Sequence, residues 1–190
     1  EKSDIAVYVE AMQSLLARFT WCVPSGYANS GDISLYDHSR VVASLASCLS
    51  DWDDTQLGNI EKNNAVVATF IEGDISGIQR FLYSVPMRGA TKQLRARSLY
   101  LQLLTEVIAR YILRRLGMPI TNLIYVGGGH FYLIVPTGVD VNELRADIDR
   151  ILLKHHDGEL YVALGATELH TKDFTAHQFH EKWRELKQNT

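Results

Sequence analysis

Two short motifs in this chain contain residues that could bind a nucleotide. Residues 73–79 read GDISGIQ, and residues 127–131 read GGGHF. The first motif follows an apolar, β-branched run, which places Asp74 near the end of a predicted strand and just before a predicted short helix. Free N–H groups and the dipole at a helix N-terminus stabilise anions, so this order of elements favours phosphate binding. We therefore predict nucleotide contacts from four consecutive residues, Asp74, Ile75, Ser76 and Gly77.

The second motif contains three consecutive glycines, Gly127, Gly128 and Gly129, between two apolar runs that we predict to form a hairpin. A plain hairpin turn needs only one or two residues with positive φ. A third glycine leaves more backbone without side chains, which lets a ligand approach closely. The alternatives are a loose turn here and, for the first motif, an ordinary helix cap by Asp74 or Ser76.

A sheet that transfers phosphoryl groups on its own needs a second carboxylate at the hairpin tip to hold metal ions. The tip of this hairpin has Gly129 and His130 instead. Asp74 alone predicts only a weak Mg²⁺ or Mn²⁺ site, because Mg²⁺ normally takes one or two carboxylates plus substrate phosphates. Asp37 and His38 could ligate a metal only together with residues that this chain lacks. We therefore predict no catalytic residue and no turnover by the chain alone.

A basic cluster opens the long helix predicted over residues 92–116. Arg88, Lys92, Arg95 and Arg97 fall within ten residues, with no acidic residue among them. Cations near a helix N-terminus oppose its dipole, so another interaction should favour them. Lys92, Arg95 and Arg97 are therefore candidates for contact with RNA or a partner subunit. The alternative is a solvated helix face.

The composition is that of an ordinary globular protein. The 190 residues are 46% hydrophobic and 22% charged, and the net charge of −3 argues against attraction of nucleic acid to the whole surface. Two cysteines, Cys22 and Cys48, make neither a disulfide framework nor a zinc site, and Cys48 is predicted to be core. No apolar run has the length of a membrane span, so we expect a cytoplasmic protein without membrane contact. Because the chain begins inside a predicted helix, we expect it to be a fragment.

The hydrophobic periodicity divides the chain into a helical segment over residues 1–50, a polar linker over 51–64 and a domain over 65–190. The helical segment has two helices, over 5–19 and 41–49, with Asp37 or Ser39 as the candidate cap of the second. The domain has strands over 65–72, 123–126, 130–135 and 160–169, and helices over 78–85, 92–116, 141–155 and 174–186. This order predicts an α+β fold of the ferredoxin-like βαββαβ type, with a four-stranded antiparallel sheet, helices on one face, and the first strand beside the hairpin.

Four strings in the chain resemble one protein family. They are SLYDHSR at 34–40, GDISGIQRF at 73–81, GATKQLRARSLYLQLL at 89–104 and NLIYVGGGHFYLIVP at 122–136. The family is the large subunit of type III-A (Csm-type) CRISPR effector complexes, a polymerase-cyclase and single-stranded DNA nuclease that acts in antiviral defence. The resemblance covers about residues 30–170, and the order and spacing of the strings agree with the family.

The resemblance implies that residues 1–50 are the last helices of an HD-type nuclease domain and that residues 65–190 are the first palm domain, which is similar to a degenerate GGDEF cyclase. Asp74 would match the metal-binding aspartate at the strand end, and Gly127 and Gly128 would match the two glycines. Gly129 and His130 replace the acidic pair, so the metals, Mg²⁺ or Mn²⁺, would come from a second palm of the same protein. The two palms would hold ATP for cyclic oligoadenylate synthesis.

The implied partners are the other subunits of the effector complex, CRISPR RNA and target RNA. A rival interpretation is a scaffold module that binds RNA or a subunit and no nucleotide, with Tyr125, Phe131 and Tyr132 as base-stacking residues. Because the runs around these aromatic residues are apolar on both faces, burial is favoured over RNA contact. A free-standing cyclase is a third interpretation, and the missing carboxylates at the hairpin tip argue against it.

Overall fold

Three helices precede the sheet in the computed structural model, which describes residues 2–26, 33–60, 64–84, 89–174 and 178–189. They are α1 (Lys2–Thr20), α2 (Leu35–Cys48) and the short α3 (Asp54–Gly58). The cap of α2 is Ser34, whose hydroxyl accepts the backbone N–H of Asp37, so the prediction of Asp37 or Ser39 as the cap was wrong. Asp53 and Gln56 form a capping box that starts α3 within the stretch predicted as a linker.

The sheet has four strands in the order β2-β3-β1-β4, and all neighbouring pairs are antiparallel. The first strand lies beside the hairpin, as predicted. It is four residues longer at its C-terminal end than the predicted 65–72, so that Asp74 lies inside it. The strands are β1 (Val66–Ser76), β2 (Leu123–Gly127), β3 (His130–Val135) and β4 (Tyr161–His170).

Four more helices connect or follow the strands, which makes the fold α+β. They are α4 (Ile78–Tyr83), α5 (Ala90–Arg115), α6 (Val141–His156) and α7 (Gln178–Asn189). The predicted last helix began too early, because the chain first makes a 3₁₀ turn at Thr171–Phe174. In α6, Ile148 and Leu152 are buried, whereas Ile151 is 47% exposed.

The first face of the sheet packs against α5 and α6 around the main hydrophobic core. Ile71, Phe131 and Leu133 of the central strands are fully buried there. Gly73 belongs to this face, because a Cβ at this position would lie 2.0 Å from the ring of Phe131. The glycine therefore makes room for the aromatic ring, and its role is packing.

The second face of the sheet is covered by α2 and α7, so the prediction that the helices lie on one face was wrong. Cys48 of α2 and Leu186 of α7 are buried against Phe70 and Ile134. The physical reason is visible in β1, in which residues 66–71 are apolar apart from Thr69, so that both faces of this part of the strand need cover. The cover is incomplete, since Asp74 and His130 at the end of this face are partly exposed.

A buried asparagine connects α2 with the sheet. Asn122 is fully buried, its Nδ2 donates to the carbonyl of Ile134 at 2.6 Å, and its Oδ1 accepts from the hydroxyl of Ser47 at 2.8 Å. The hydroxyl of Ser44 donates to the carbonyl of Thr121 at 2.6 Å. Since buried polar groups are costly without partners, these bonds fix the position of α2 on the second face.

Within the described parts of the chain, no helix combines the length and the apolar character needed to cross a bilayer.

Candidate nucleotide site

The sheet brings the two motifs together at one end. Asp74 lies opposite His130 on one side and opposite Ala163 on the other. The next residue, Ile75, donates its backbone N–H to the carbonyl of Gly129 at 2.9 Å. The aspartate and the glycine turn are therefore neighbours, as the sequence predicts.

The glycine turn is a tight two-residue turn between β2 and β3. Gly128 and Gly129 have φ values of 63° and 91°, as a type I′ hairpin requires. A Cβ on Gly129 would lie 2.4 Å from Cδ1 of Ile78, whereas a Cβ on Gly128 would meet nothing within 4 Å. At Gly127, a Cβ would approach only the hydroxyl end of Tyr125 closely, at 2.8 Å. Turn geometry thus explains the glycines at positions 128 and 129. Of the three glycines, Gly128 is the exposed one.

The other predicted phosphate-binding residues have structural roles as well. Gly77 is the N-cap of α4 at φ 90°, and a Cβ there would lie 2.0 Å from the carbonyl oxygen of Glu159. No side chain caps α4, so neither Asp74 nor Ser76 is its cap. Ser76 is the last residue of β1 and pairs with Tyr161. Because α4 has six residues, its dipole contributes little, and we base no anion site on it.

A cluster of two carboxylates and an imidazole lies on the second face beside the turn. Nδ1 of His130 is 3.4 Å from Oδ1 of Asp74 and 3.9 Å from Oε1 of Glu72. Glu72 is 4% exposed and accepts a 2.8 Å hydrogen bond from the hydroxyl of Tyr132. Sequence reasoning missed Glu72 as a site residue. The available signal was the pair of acids at positions i and i+2 of one strand, which must point to the same face.

Burial and neighbouring charges shift the ionisation of this cluster. Burial raises the pKa of the Asp74 carboxyl above its ordinary value, His130 partly offsets this rise, and Glu72 adds to it. Burial and the adjacent Glu72 carboxylate also raise the pKa of the Tyr132 hydroxyl. The Tyr132 hydroxyl therefore stays protonated and keeps donating to Glu72.

The cluster is a poor fit for the Mg²⁺ or Mn²⁺ that the family resemblance implies. The imidazole nitrogen of His130 already lies within 4 Å of both carboxylates, and Tyr132 holds one oxygen of Glu72. Across the described residues, no group of three or more His, Cys, Asp or Glu side chains is arranged to hold a metal ion. We therefore derive no step through a metal bound by this chain.

The basic residues at the start of α5 differ from one another in their surroundings. Lys92 and Arg95 are exposed. Arg97 donates to the carbonyl of Phe81 and, at 2.7 Å, to the hydroxyl of Ser84, and its guanidinium lies over the Phe81 ring. Arg97 thus joins α4 to α5. Arg88 lies outside the described residues, and the contact of this cluster with RNA or a subunit stays a prediction.

The residues at the start of α2 are engaged locally. Asp37 accepts hydrogen bonds from the hydroxyl of Ser34 and, at 2.9 Å, from the guanidinium of Arg40. His38 is exposed beside them. These contacts account for Asp37 without a metal, and its assignment as a metal ligand stays a prediction.

The aromatic residues of the RNA-binding alternative are largely unavailable for stacking. Phe131 is fully buried and Tyr132 is 7% exposed, with Trp183 of α7 packed on Tyr132 at 4.4 Å between ring centroids. Only Tyr125 of the three is exposed, at 52%. A three-ring platform for bases is therefore absent from this hairpin.

Comparison with known proteins identifies the family. Residues 67–190 match the family model described as Csm1 subunit domain B. The chain belongs to the Csm1 family. A Cas10/Csm1 single-strand-specific deoxyribonuclease of subtype III-A from Methanocaldococcus jannaschii is 32% identical, with 100% of this chain aligned to 28% of that protein. The chain thus spans about a quarter of the length of such relatives and corresponds to part of a type III-A Cas10/Csm1 protein.

Solved structures of family members have the same fold. A Csm1–Csm4 cassette in complex with cA3 superposes with a TM-score of 0.80 at 32% identity, covering 93% of this chain and 25% of that one. A Csm1–Csm4 cassette in complex with AMPPNP gives a TM-score of 0.74 at 29% identity, with the same two coverages. Members of the family are therefore found with Csm4 and with adenine nucleotides.

Proposed function

We propose that residues 65–190 are a ferredoxin-like palm domain, the first of two in the intact protein, and that this palm holds one ATP during cyclic oligoadenylate synthesis. The strand order supports the palm assignment, because β1 lies between the hairpin and β4. The AMPPNP and cA3 complexes of relatives support the choice of ligand. Residues 1–50 would be the last helices of the nuclease domain.

One observation carries the proposal: an exposed turn without side chains lies beside Asp74 at the uncovered end of the sheet. A Cβ on Gly128 would meet nothing within 4 Å, so a ligand could approach the backbone there. The hydroxyl of Ser76, on the neighbouring strand, is a further candidate contact. A phosphate chain could use the backbone N–H groups of such a turn as donors.

In this proposal the chain binds and orients ATP but supplies no catalytic group. A second palm would provide Mg²⁺ or Mn²⁺, which neutralise phosphate charge when bound. We expect this chain to give no cyclic product when it is incubated with ATP and either metal ion. Any product formed would contradict the division of roles between the two palms.

The experiment is a titration of ATP into the full-length protein and its Gly128→Asp variant. The new carboxylate would repel phosphate, and the expected result is a loss of the nucleotide bound at the first palm. Gly138→Asp is the matched control, because Gly138 is exposed, has φ +80°, meets nothing within 4 Å of a Cβ, and follows the other end of β3. Ser76→Trp should weaken binding by obstruction. Unchanged ATP affinity and product yield in both site variants would contradict the proposal.

A second candidate function is contact of α5 with RNA or a complex subunit. Lys92 and Arg95 are exposed, whereas Arg110 and Arg115 of the same helix are paired with acidic residues. We expect the double variant Lys92→Glu, Arg95→Glu to weaken binding of the full-length protein to CRISPR RNA. The salt dependence of that binding should also fall. Arg115→Glu is the control.

A further inference from the structure

The Nδ1 nitrogen of His130 lies within 4 Å of two carboxylates. It lies 3.4 Å from Asp74 and 3.9 Å from Glu72, so a nitrogen occupies the place that a shared cation would take. Glu72 is itself held by the buried hydroxyl of Tyr132. The carboxylates are therefore arranged to orient a histidine ring.

The orientation of Nδ1 leaves Nε2 on the side of the ring away from the carboxylates. The His130 side chain is 46% exposed, and among the described residues no hydrogen bond or ion pair engages its Nε2. A hydroxyl group both donates and accepts, so it can pair with Nε2 whether the ring is neutral or protonated. When the neutral ring carries its proton on Nδ1, which faces the carboxylates, Nε2 is an acceptor. A phosphate oxygen, which only accepts, can then pair with Nε2 only in the protonated ring.

Charge also decides which part of a nucleotide can lie beside His130. Two carboxylates close to the ring repel a triphosphate at short range. No carboxylate atom lies within 4 Å of a Cβ built on Gly128, at the tip of the turn, whereas both carboxylates lie within 4 Å of the His130 ring. The triphosphate therefore fits the turn, and an uncharged hydrogen-bonding group fits His130.

We propose that His130 binds a ribose hydroxyl of the nucleotide on this palm and that Asp74, Glu72 and Tyr132 are positioning residues for the imidazole. This inference rests on the proposed function and deepens it. It makes His130 a determinant of specificity for ribonucleotides over deoxyribonucleotides. It also assigns Asp74 to the orientation of a ring, in place of the weak metal site predicted from the sequence.

The test compares ATP with its 2′-deoxy and 3′-deoxy analogues in calorimetric titrations of the full-length protein. The titration of the Gly128→Asp variant is subtracted as a blank, so that only nucleotide binding at the first palm contributes to the measured affinity. The wild-type protein should bind ATP roughly three- to tenfold more tightly than one of the analogues, as expected for one hydrogen bond. His130→Phe keeps a ring but no nitrogen and should bind ATP and that analogue equally.

Two further variants separate orientation from folding. His130→Gln offers an amide to the hydroxyl and should keep part of the preference. Asp74→Asn should lower the preference for ATP without lowering the thermal midpoint, because it weakens only the orientation of the ring. An unchanged preference for ATP in His130→Phe, or no preference in the wild type, would overturn the inference.

The two proposals fail in different ways. If Gly128→Asp leaves ATP binding unchanged, the proposed function fails, and this inference fails with it. If Gly128→Asp removes binding while His130→Phe keeps the preference for ATP, only this inference fails. Mn²⁺ binding followed by electron paramagnetic resonance is an independent readout. Wild type and Asp74→Asn should bind equal amounts of Mn²⁺, and a loss in Asp74→Asn would show that Asp74 is a metal ligand and overturn the inference.

Discussion

The two faces of the sheet differ in what the covering helices leave open. On the first face, α5 and α6 bury an apolar layer that includes Ile71, Phe131 and Leu133. On the second face, α2 and α7 cover the end near Phe70 and Ile134, whereas the opposite end keeps Asp74 and His130 partly exposed.

The same strands therefore carry a core and a candidate site on alternating residues. In β3, Phe131 points to the packed face, and its neighbour His130 points to the open one, beside Asp74. Substitutions one residue apart should consequently have effects of different kinds. Those on the first face should cost stability, and those at the open end should change binding.

The largest effect is expected when a ring of the packed face is removed. Phe131→Ala leaves a void beside Gly73 and should lower the free energy of unfolding by about 3 to 5 kcal/mol. Urea denaturation followed by circular dichroism measures the loss. The matched control is Tyr125→Ala, an aromatic residue that is 52% exposed on the adjacent strand, with an expected loss below about 1 kcal/mol. Equal losses in the two variants would remove the distinction between the faces.

The next effect concerns the attachment of α2 to the second face. Asn122→Ala removes the donor to the carbonyl of Ile134 and the acceptor for the Ser47 hydroxyl, which leaves buried polar groups without these partners. We expect a loss of about 1 to 3 kcal/mol in the free energy of unfolding and faster hydrogen exchange in α2. Asn142→Ala, at an exposed position of α6, is the control. Exchange in α2 that stays slow would show that apolar packing alone holds it.

Sequence reasoning predicted the elements well where the periodicity was strong. The bounds of β3 and the start of α6 agree with the predicted residues, and the proximity of Asp74 to the glycine turn follows from the order of the strands. The bounds of β1 were less accurate, because Gly73 and Asp74 are poor strand formers by type and are held in the strand by pairing on both sides.

The content of the candidate site was harder to predict. Periodicity does not show that α7 leaves one end of a face uncovered. Nor does it show that Glu72, at the end of an apolar run, is buried next to Tyr132, since that contact joins residues sixty positions apart. A type I′ turn already requires Gly128 and Gly129, so the run of three glycines does not by itself indicate a ligand, and their contact with a nucleotide stays a prediction.

A third carboxylate at the open end should create the metal site that the wild-type residues do not form. His130→Asp replaces the imidazole by a third carboxylate beside Asp74 and Glu72, and carboxylate oxygens are the ligands that Mn²⁺ and Mg²⁺ prefer. We expect at least about tenfold tighter Mn²⁺ binding than in the wild type, measured by electron paramagnetic resonance. His130→Asn is the uncharged control. No gain over this control would mean that the carboxylates are too constrained to ligate a metal.

The smallest expected effect is a difference in reactivity between the two cysteine thiols. It distinguishes covered from open surface without a change in stability. Burial raises the pKa of the Cys48 thiol to about 11, because Cys48, the last residue of α2, packs against the second face, whereas Cys22 is exposed. Because the thiolate is the reactive form, Cys48 should resist a disulfide reagent at pH 8 on two grounds, low access and a thiol that stays protonated. We expect one reactive thiol in the native chain, none in Cys22→Ser, and two in urea. If Cys48 reacts as fast as Cys22, then α2 leaves the sheet readily, and the second face is open along its whole length.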